Sequence, residues 1–170
     1  MDHTLLSENK ELLRSLLGKE IVRVSRRIFW NDFDLPDFEQ MGDGITELTF
    51  DSGQILSLKN KVETYCVIVK PEAMETWGES YLFREVTGNR FWQARVRRKI
   101  VRLVIHCDED DEWTSQTTSQ RSEFCLEIEF ANGLKAAFID AGQTSLTKET
   151  DALVIAAECD PPIMETIVIE

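Results

Sequence analysis

Lys19-Glu20-Ile21-Val22-Arg23-Val24 and Arg98-Lys99-Ile100-Val101-Arg102-Leu103 repeat one phrase at an offset of 79 residues. Each opens on charge and runs into β-branched residues, the composition of a strand entering a sheet. Farther along, Glu47-Leu48-Thr49-Phe50-Asp51-Ser52-Gly53 matches Glu127-Ile128-Glu129-Phe130-Ala131-Asn132-Gly133 at an offset of 80. A third apolar run follows in each half, Cys66-Val67-Ile68-Val69 and Leu153-Val154-Ile155-Ala156, and Met74-Glu75-Thr76 recurs as Met164-Glu165-Thr166. Matches in the same order, with offsets drifting only from 79 to 90, predict a tandem internal duplication. The first unit spans residues 1–78 and the second 79–170. A unit of about 80 residues buries little surface alone, so the two are expected to pack as one compact domain.

Each unit follows one grammar. In the first, Leu5, Leu6, Leu12, Leu13, Leu16 and Leu17 recur at helical spacing, and Gly18 supplies a C-terminal stop. Ile21 to Trp30 reads as a strand. Thr46, Leu48 and Phe50 then alternate with Ile45, Glu47 and Thr49, Asp51-Ser52-Gly53 turns the chain, and Ile55 to Leu58 returns. Tyr65 to Val69 is a fourth strand. In the second unit Phe91, Trp92, Arg95 and Val96 align with the first helix and predict a short one. Lys99 to His106, Phe124 to Phe130, Leu134 to Asp140 and Leu153 to Ala157 follow as strands, with Asn132-Gly133 the strongest hairpin turn in the chain. The fold class predicted is α+β: two tandem α-β-β-β-β units forming a mainly antiparallel sheet core.

The order of a leucine-rich helix, Leu16-Leu17-Gly18-Lys19-Glu20-Ile21, then Glu47-Leu48-Thr49-Phe50-Asp51-Ser52-Gly53 and a valine-rich strand resembles that of small bacterial proteins of the polymorphic-toxin immunity type. The resemblance spans both units and transfers no catalytic or ligand residue. It implies an inhibitor that binds a cognate toxin in the cytoplasm and performs no chemistry.

The chain has 170 residues, 42% of them hydrophobic and 29% charged, which excludes wholesale disorder. No apolar run reaches the roughly 18–20 residues that cross a bilayer, so no membrane is expected as a partner. Met1-Asp2-His3-Thr4 lacks a basic stretch leading into an apolar one, which points to a cytoplasmic protein. Four cysteines, Cys66, Cys107, Cys125 and Cys159, are then expected as free thiols, and no Cys-x-x-Cys pair is present for zinc or redox work. Cys66 and Cys125 lie in strand-like runs and read as small buried hydrophobes.

The net charge is −12, and it is unevenly spread. Residues 1–102 carry 16 basic and 16 acidic side chains; residues 103–170 carry Arg121, Lys135 and Lys148 against 15 acids. Such a balance opposes nucleic-acid binding, although Arg90, Arg95, Arg97, Arg98, Lys99 and Arg102 cluster near Phe91 and Trp92. Directly after them stands Asp108-Glu109-Asp110-Asp111-Glu112, followed by Trp113. Five adjacent carboxylates repel one another, and a cationic partner relieves that repulsion while gaining association rate. Trp113 adds an aromatic anchor of the kind found at interface hot spots. A second polar, acidic insertion holds Asp32, Phe33 and Asp34, at the equivalent place between first strand and hairpin. Asp108, Glu109, Asp110, Asp111, Glu112 and Trp113, with Asp32, Phe33 and Asp34, are therefore the candidate contacts to a partner protein with a basic surface.

Chemistry has little to build on. His106-Cys107-Asp108 forms a tempting cluster, but adjacent residues on a strand point to opposite faces. Asp108-x-Asp110-x-Glu112 has the spacing of a calcium loop with Trp113 where glycine is needed. No glycine-rich phosphate loop, nucleophile elbow or paired zinc motif occurs, so no cofactor, metal or catalytic residue is assigned. The function expected is that of a non-catalytic acidic binding protein, an immunity-like inhibitor of a cognate toxin. The alternatives are a small-molecule-binding or regulatory domain with a pocket between the units, and an enzyme built on carboxylates or on the His106-Cys107 pair.

Overall fold

Phe50 and Phe130 close their hairpins in the same way. The Phe50 N–H donates to Gln54 O at 2.9 Å and accepts the Gly53 N–H at 2.9 Å on its carbonyl; Phe130 does the same with Leu134 and Gly133 at 2.9 and 2.8 Å. The turn glycines adopt φ of 81° and 79°, the left-handed conformation that a side chain disfavours, so glycine is what lets both strands reverse in so few residues.

The computed structural model describes residues 4–29, 45–61, 66–73, 81–108, 122–141, 153–159 and 165–170. The elements run β1 (Thr4–Leu5), a 3-10 turn (Ser7–Asn9), α1 (Lys10–Arg14), β2 (Ile21–Phe29), β3 (Thr46–Phe50), β4 (Ile55–Lys61), β5 (Cys66–Lys70) and β6 (Tyr81–Glu85). They continue with α2 (Arg90–Gln93), β7 (Ile100–Asp108), β8 (Ser122–Phe130), β9 (Lys135–Asp140), β10 (Leu153–Ala156) and β11 (Glu165–Ile169). Among the described residues two sheets result, and every strand pairing is antiparallel. The first has the order β1-β5-β4-β3-β2-β6 and the second β10-β9-β8-β7-β11. Leaving aside β1, the two sheets are wired identically, each new strand taking the same place relative to the one before.

The sequence expectation of a mainly antiparallel α+β protein agrees with this architecture. Two details differ from it. The leucine stripe from Leu5 to Leu17 makes a two-residue strand, a 3-10 turn and five residues of α-helix rather than one helix, and Leu6, Leu13 and Leu16 are buried from it. Each sheet also has a strand beyond the four expected, β6 beside β2 and β11 beside β7. β6 lies within the 79–170 segment yet pairs in the first sheet.

The sheets meet where the repeated phrases meet. Glu20 and Lys99 form an antiparallel bridge, the Gly18 N–H donates to Ile100 O at 2.8 Å, and the Arg97 N–H donates to Ile21 O at 2.9 Å. Just beyond, the register slips between Ile21 and Arg23 in β2 and between Ile100 and Arg102 in β7, a bulge at equivalent places. Bulges bend and twist a strand, and here they turn β2 and β7 away from their shared origin.

One apolar core joins the sheets. Val24, Leu48, Phe50, Leu56, Leu58, Val67 and Val69 line the inner face of the first, and Leu103, Ile105, Cys107, Leu126, Ile128, Phe130 and Phe138 that of the second. Trp92 of α2 stacks on Phe138 at 6.1 Å between centroids and closes one side. Burying a side chain of this size stabilises by roughly 1.5–3 kcal/mol. Arg26 also faces inward, fully buried, and donates from Nη2 to Leu153 O at 3.0 Å, linking β2 to β10. Burial pushes its guanidinium down to about 10, still charged at neutral pH.

Candidate functional site

Alternation along β7 sorts its chemistry. Leu103, Ile105 and Cys107 enter the core between the sheets, and Val104 and His106 point to the other face of the second sheet. His106 and Cys107 are thereby parted, as adjacent strand residues must be. The partner His106 does meet is Cys125, directly opposite it in the β7–β8 register. One residue farther on, the register slips, β8 carrying Phe124 as an extra residue against His106 and Cys107. This bulge puts Phe124 on the outer side beside Cys125, where its ring centroid lies 6.4 Å from that of His106.

The outer side of the second sheet carries its own apolar cluster. Phe124, Cys125, Ala137, Ile139, Ala141 and Val154 are buried there, with Ala156 and Cys159 packed at the margin. Ala137 and Ile139 are the β9 members of this cluster, and the chain leaving β10 brings Cys159 to its margin. His106, Cys125 and Cys159 consequently hold their ring nitrogen and two sulfur atoms all within 4.8 Å of one another.

Glu127 anchors this group. Its Oε2 accepts the Cys159 backbone N–H at 3.0 Å and lies 3.8 Å from His106 Nε2, and its Oε1 accepts from Lys135 Nζ at 3.0 Å. Burial pushes the carboxyl up, but the Cys159 N–H, the Lys135 ammonium and His106 together outweigh it and hold Glu127 below the usual carboxylate range. The same hydrogen bond to Glu127 raises Lys135 above the ordinary lysine value. A hydrogen bond from the Cys125 thiol and the nearness of His106 draw Cys159 down to about 6, and burial pushes Cys125 up. The two sulfurs are thus shifted in opposite directions, Cys159 toward the thiolate and Cys125 toward the thiol. Both ring nitrogens of His106, a residue only 3% exposed, are without a hydrogen-bond partner.

Sequence reasoning did not find this group. It set His106 beside Cys107 and read Cys125 as a buried hydrophobe. Cys125 is indeed buried, but it also sits against a second sulfur that is 34 residues away in the chain. The available signal was the alternation itself: His106 and Cys125 lie on equivalent sides of strands predicted to pair.

The candidate partner-binding residues lie mostly outside the described structure: Glu109, Asp110, Asp111, Glu112 and Trp113, and likewise Asp32, Phe33 and Asp34. Asp108 is the last residue of β7, and β8 resumes at Ser122. Of the basic stretch before it, Arg95 turns inward, donating from Nε to Lys135 O and from Nη1 to Phe91 O, both at 2.6 Å, with its guanidinium 3.7 Å from the Phe91 ring centre. Arg102 faces Glu129 and Glu170 at 4.0 and 3.3 Å. Both cations are engaged by groups of the fold itself.

No helix among the described residues is long and apolar enough to cross a membrane. Comparison of the chain with protein-family models, with curated proteins and with solved structures finds no match.

Proposed function

We propose that the chain is a non-catalytic acidic binding protein of the immunity type, which neutralises a cognate bacterial toxin in the cytoplasm by direct contact. The observation that carries this reading is where β7 ends. Its last residue is Asp108, so the run Asp108 to Glu112 starts from the end of a strand paired along its whole length with β8. A run of carboxylates that follows directly in sequence on a paired strand suits fast, electrostatically steered capture of a basic surface, with Trp113 as the anchor next to it. In the sequence Asp32-Phe33-Asp34 comes shortly after β2, the strand that holds the corresponding place in the other sheet.

Two further points favour this reading over its rivals. The space between the sheets is filled by apolar side chains from both, which leaves the ligand pocket between units without support. Engagement of Arg95 and Arg102 by groups of the protein itself, together with the net charge of −12, weighs against nucleic acid. The identical wiring of the two sheets and their equivalent bulges support descent of both halves from one duplicated unit.

The test is association kinetics against the protein encoded beside this chain. Exchanging Asp108, Asp110 and Asp111 for Asn and Glu109 and Glu112 for Gln lowers the association rate at least 10-fold at low salt and flattens its salt dependence, with the unfolding midpoint retained. An unchanged rate removes the acidic run from the mechanism, and absence of any complex with the unaltered chain removes the inhibitor reading.

A further inference from the structure

We infer that His106, Cys125 and Cys159 form a binding site for a thiophilic divalent cation, zinc above all, on the outer face of the second sheet. Three donors of the types that zinc prefers already stand within 4.8 Å of one another, close to the separations of about 3.5–3.8 Å that metal–sulfur and metal–nitrogen bonds of 2.0–2.3 Å impose on a tetrahedron. Exposed acids gather on many surfaces without binding anything, but this group is of another kind. His106 is buried with neither ring nitrogen in a hydrogen bond of ordinary geometry, only the Cys159 sulfur and Glu127 Oε2 standing near, an arrangement that costs free energy unless something occupies one of them. A cation between the ring and the two sulfurs supplies that partner.

The surroundings fit the same cation. Glu127 has both oxygens committed, one to Lys135 and one to the Cys159 N–H, so it acts as the outer partner that fixes the Cys159 backbone and stands beside the imidazole. Both thiols must give up their protons to ligate, and binding releases those protons to solvent. Cys159 is only half-buried, which gives the ion an entry path and leaves the fourth position to water. Such an ion ties the segment after β10 to β8 and β7, two and three places away in the sheet. It is independent of the acidic run and of the inhibitor reading.

The experiment uses the full chain, reduced and freed of metal, titrated with Co2+ and then Zn2+. One equivalent of Co2+ should bind with thiolate charge-transfer bands and the visible bands of a tetrahedral ion, and Zn2+ should displace it. Cys159→Ser and Cys125→Ser should abolish the charge-transfer bands or cut them, and Glu127→Gln should weaken Zn2+ about 10–100-fold. Cys66→Ala, on the other sheet, should bind as the parent does. Where a variant does not fold, protection of Cys159 from iodoacetamide by Zn2+ in the unaltered chain takes its place. Binding without thiolate bands, binding unchanged in Cys159→Ser, no protection of Cys159, or a reduced chain that takes up no Zn2+ and merely re-forms a Cys125–Cys159 disulfide in air would each overturn the site.

Discussion

Gly18 and Arg97 occupy mirrored places at the join between the two halves, each with positive φ (76° and 61°) and each donating its N–H to the first residue of the other half's leading strand, Ile100 or Ile21. One position is glycine and meets the left-handed conformation freely; the other is arginine and does not. Arg97→Gly should therefore stabilise the protein by about 0.5 kcal/mol, the left-handed strain of about 1–2 kcal/mol less the added entropy of unfolded glycine. Gly18→Ala, where a Cβ would meet nothing within 4 Å, should cost about 1 kcal/mol from backbone strain alone. Urea unfolding of the two variants reads both signs; a destabilised Arg97→Gly would mean that the arginine side chain itself holds the join.

Arg26 invites the second test. Its side chain crosses between the sheets to the Leu153 carbonyl, and Leu153 is paired in register with Asp140, which is also fully buried. Arg26→Ala removes a charge-assisted hydrogen bond and opens a cavity, and should cost about 3 kcal/mol or more. Arg26→Met refills most of that volume and should recover part of the loss. Equal unfolding midpoints for the two variants would assign the whole effect to the polar contacts, and a loss below about 1 kcal/mol in Arg26→Ala would deny the link between sheets any weight.

The strands were legible because each announces itself locally. Thr46 to Phe50 alternates, Asp51-Ser52-Gly53 and Asn132-Gly133 can turn, and the structure places β3, β4, β8 and β9 where those residues predict them. β6 and β11 were not read as strands. Tyr81-Leu82-Phe83 and Ile167-Val168-Ile169 are short apolar runs without hairpin partners, and only the open side of β2 and β7 makes them strands. The leucines of residues 5–17 mislead for the opposite reason: helical spacing is present, yet only five residues form α-helix, a length too short for spacing alone to hold. The candidate metal group was harder still, because Cys159 reaches His106 through the path of the chain after β10, which no local pattern encodes.

Cys159 should be the fastest-reacting thiol of the chain. Cys66, Cys107 and Cys125 are buried, and Cys159 alone combines partial exposure with a thiolate held by the Cys125 hydrogen bond and by His106. In metal-free protein its alkylation by iodoacetamide should rise with pH through a midpoint of about 6, well below that of an ordinary cysteine. His106→Gln removes one source of the shift and should move the midpoint upward. A midpoint in the ordinary range for the unaltered chain would mean that neither neighbour stabilises the thiolate.

Glu127 and Lys135 shift in opposite directions, and the pH dependence of stability follows from the signs. Glu127 is held below its ordinary value, so its contribution is present above the unfolded carboxylate pKa and is lost as pH falls through the lower, folded one. Lys135 is raised, so its contribution is complete below the ordinary lysine pKa and disappears as pH rises through the higher, folded one. Between those limits the pair should contribute evenly, because neither group changes charge there. Glu127→Gln should therefore lower the unfolding midpoint by a nearly constant amount from pH 6 to 9, and the gap to the parent should close below about pH 4. Lys135 is partly exposed, so added salt should narrow the gap without abolishing it, the Cys159 N–H being the part that salt cannot screen. A difference that grows as the solution is acidified would show that Glu127 is protonated in the fold and would reverse the assignment of its hydrogen bonds.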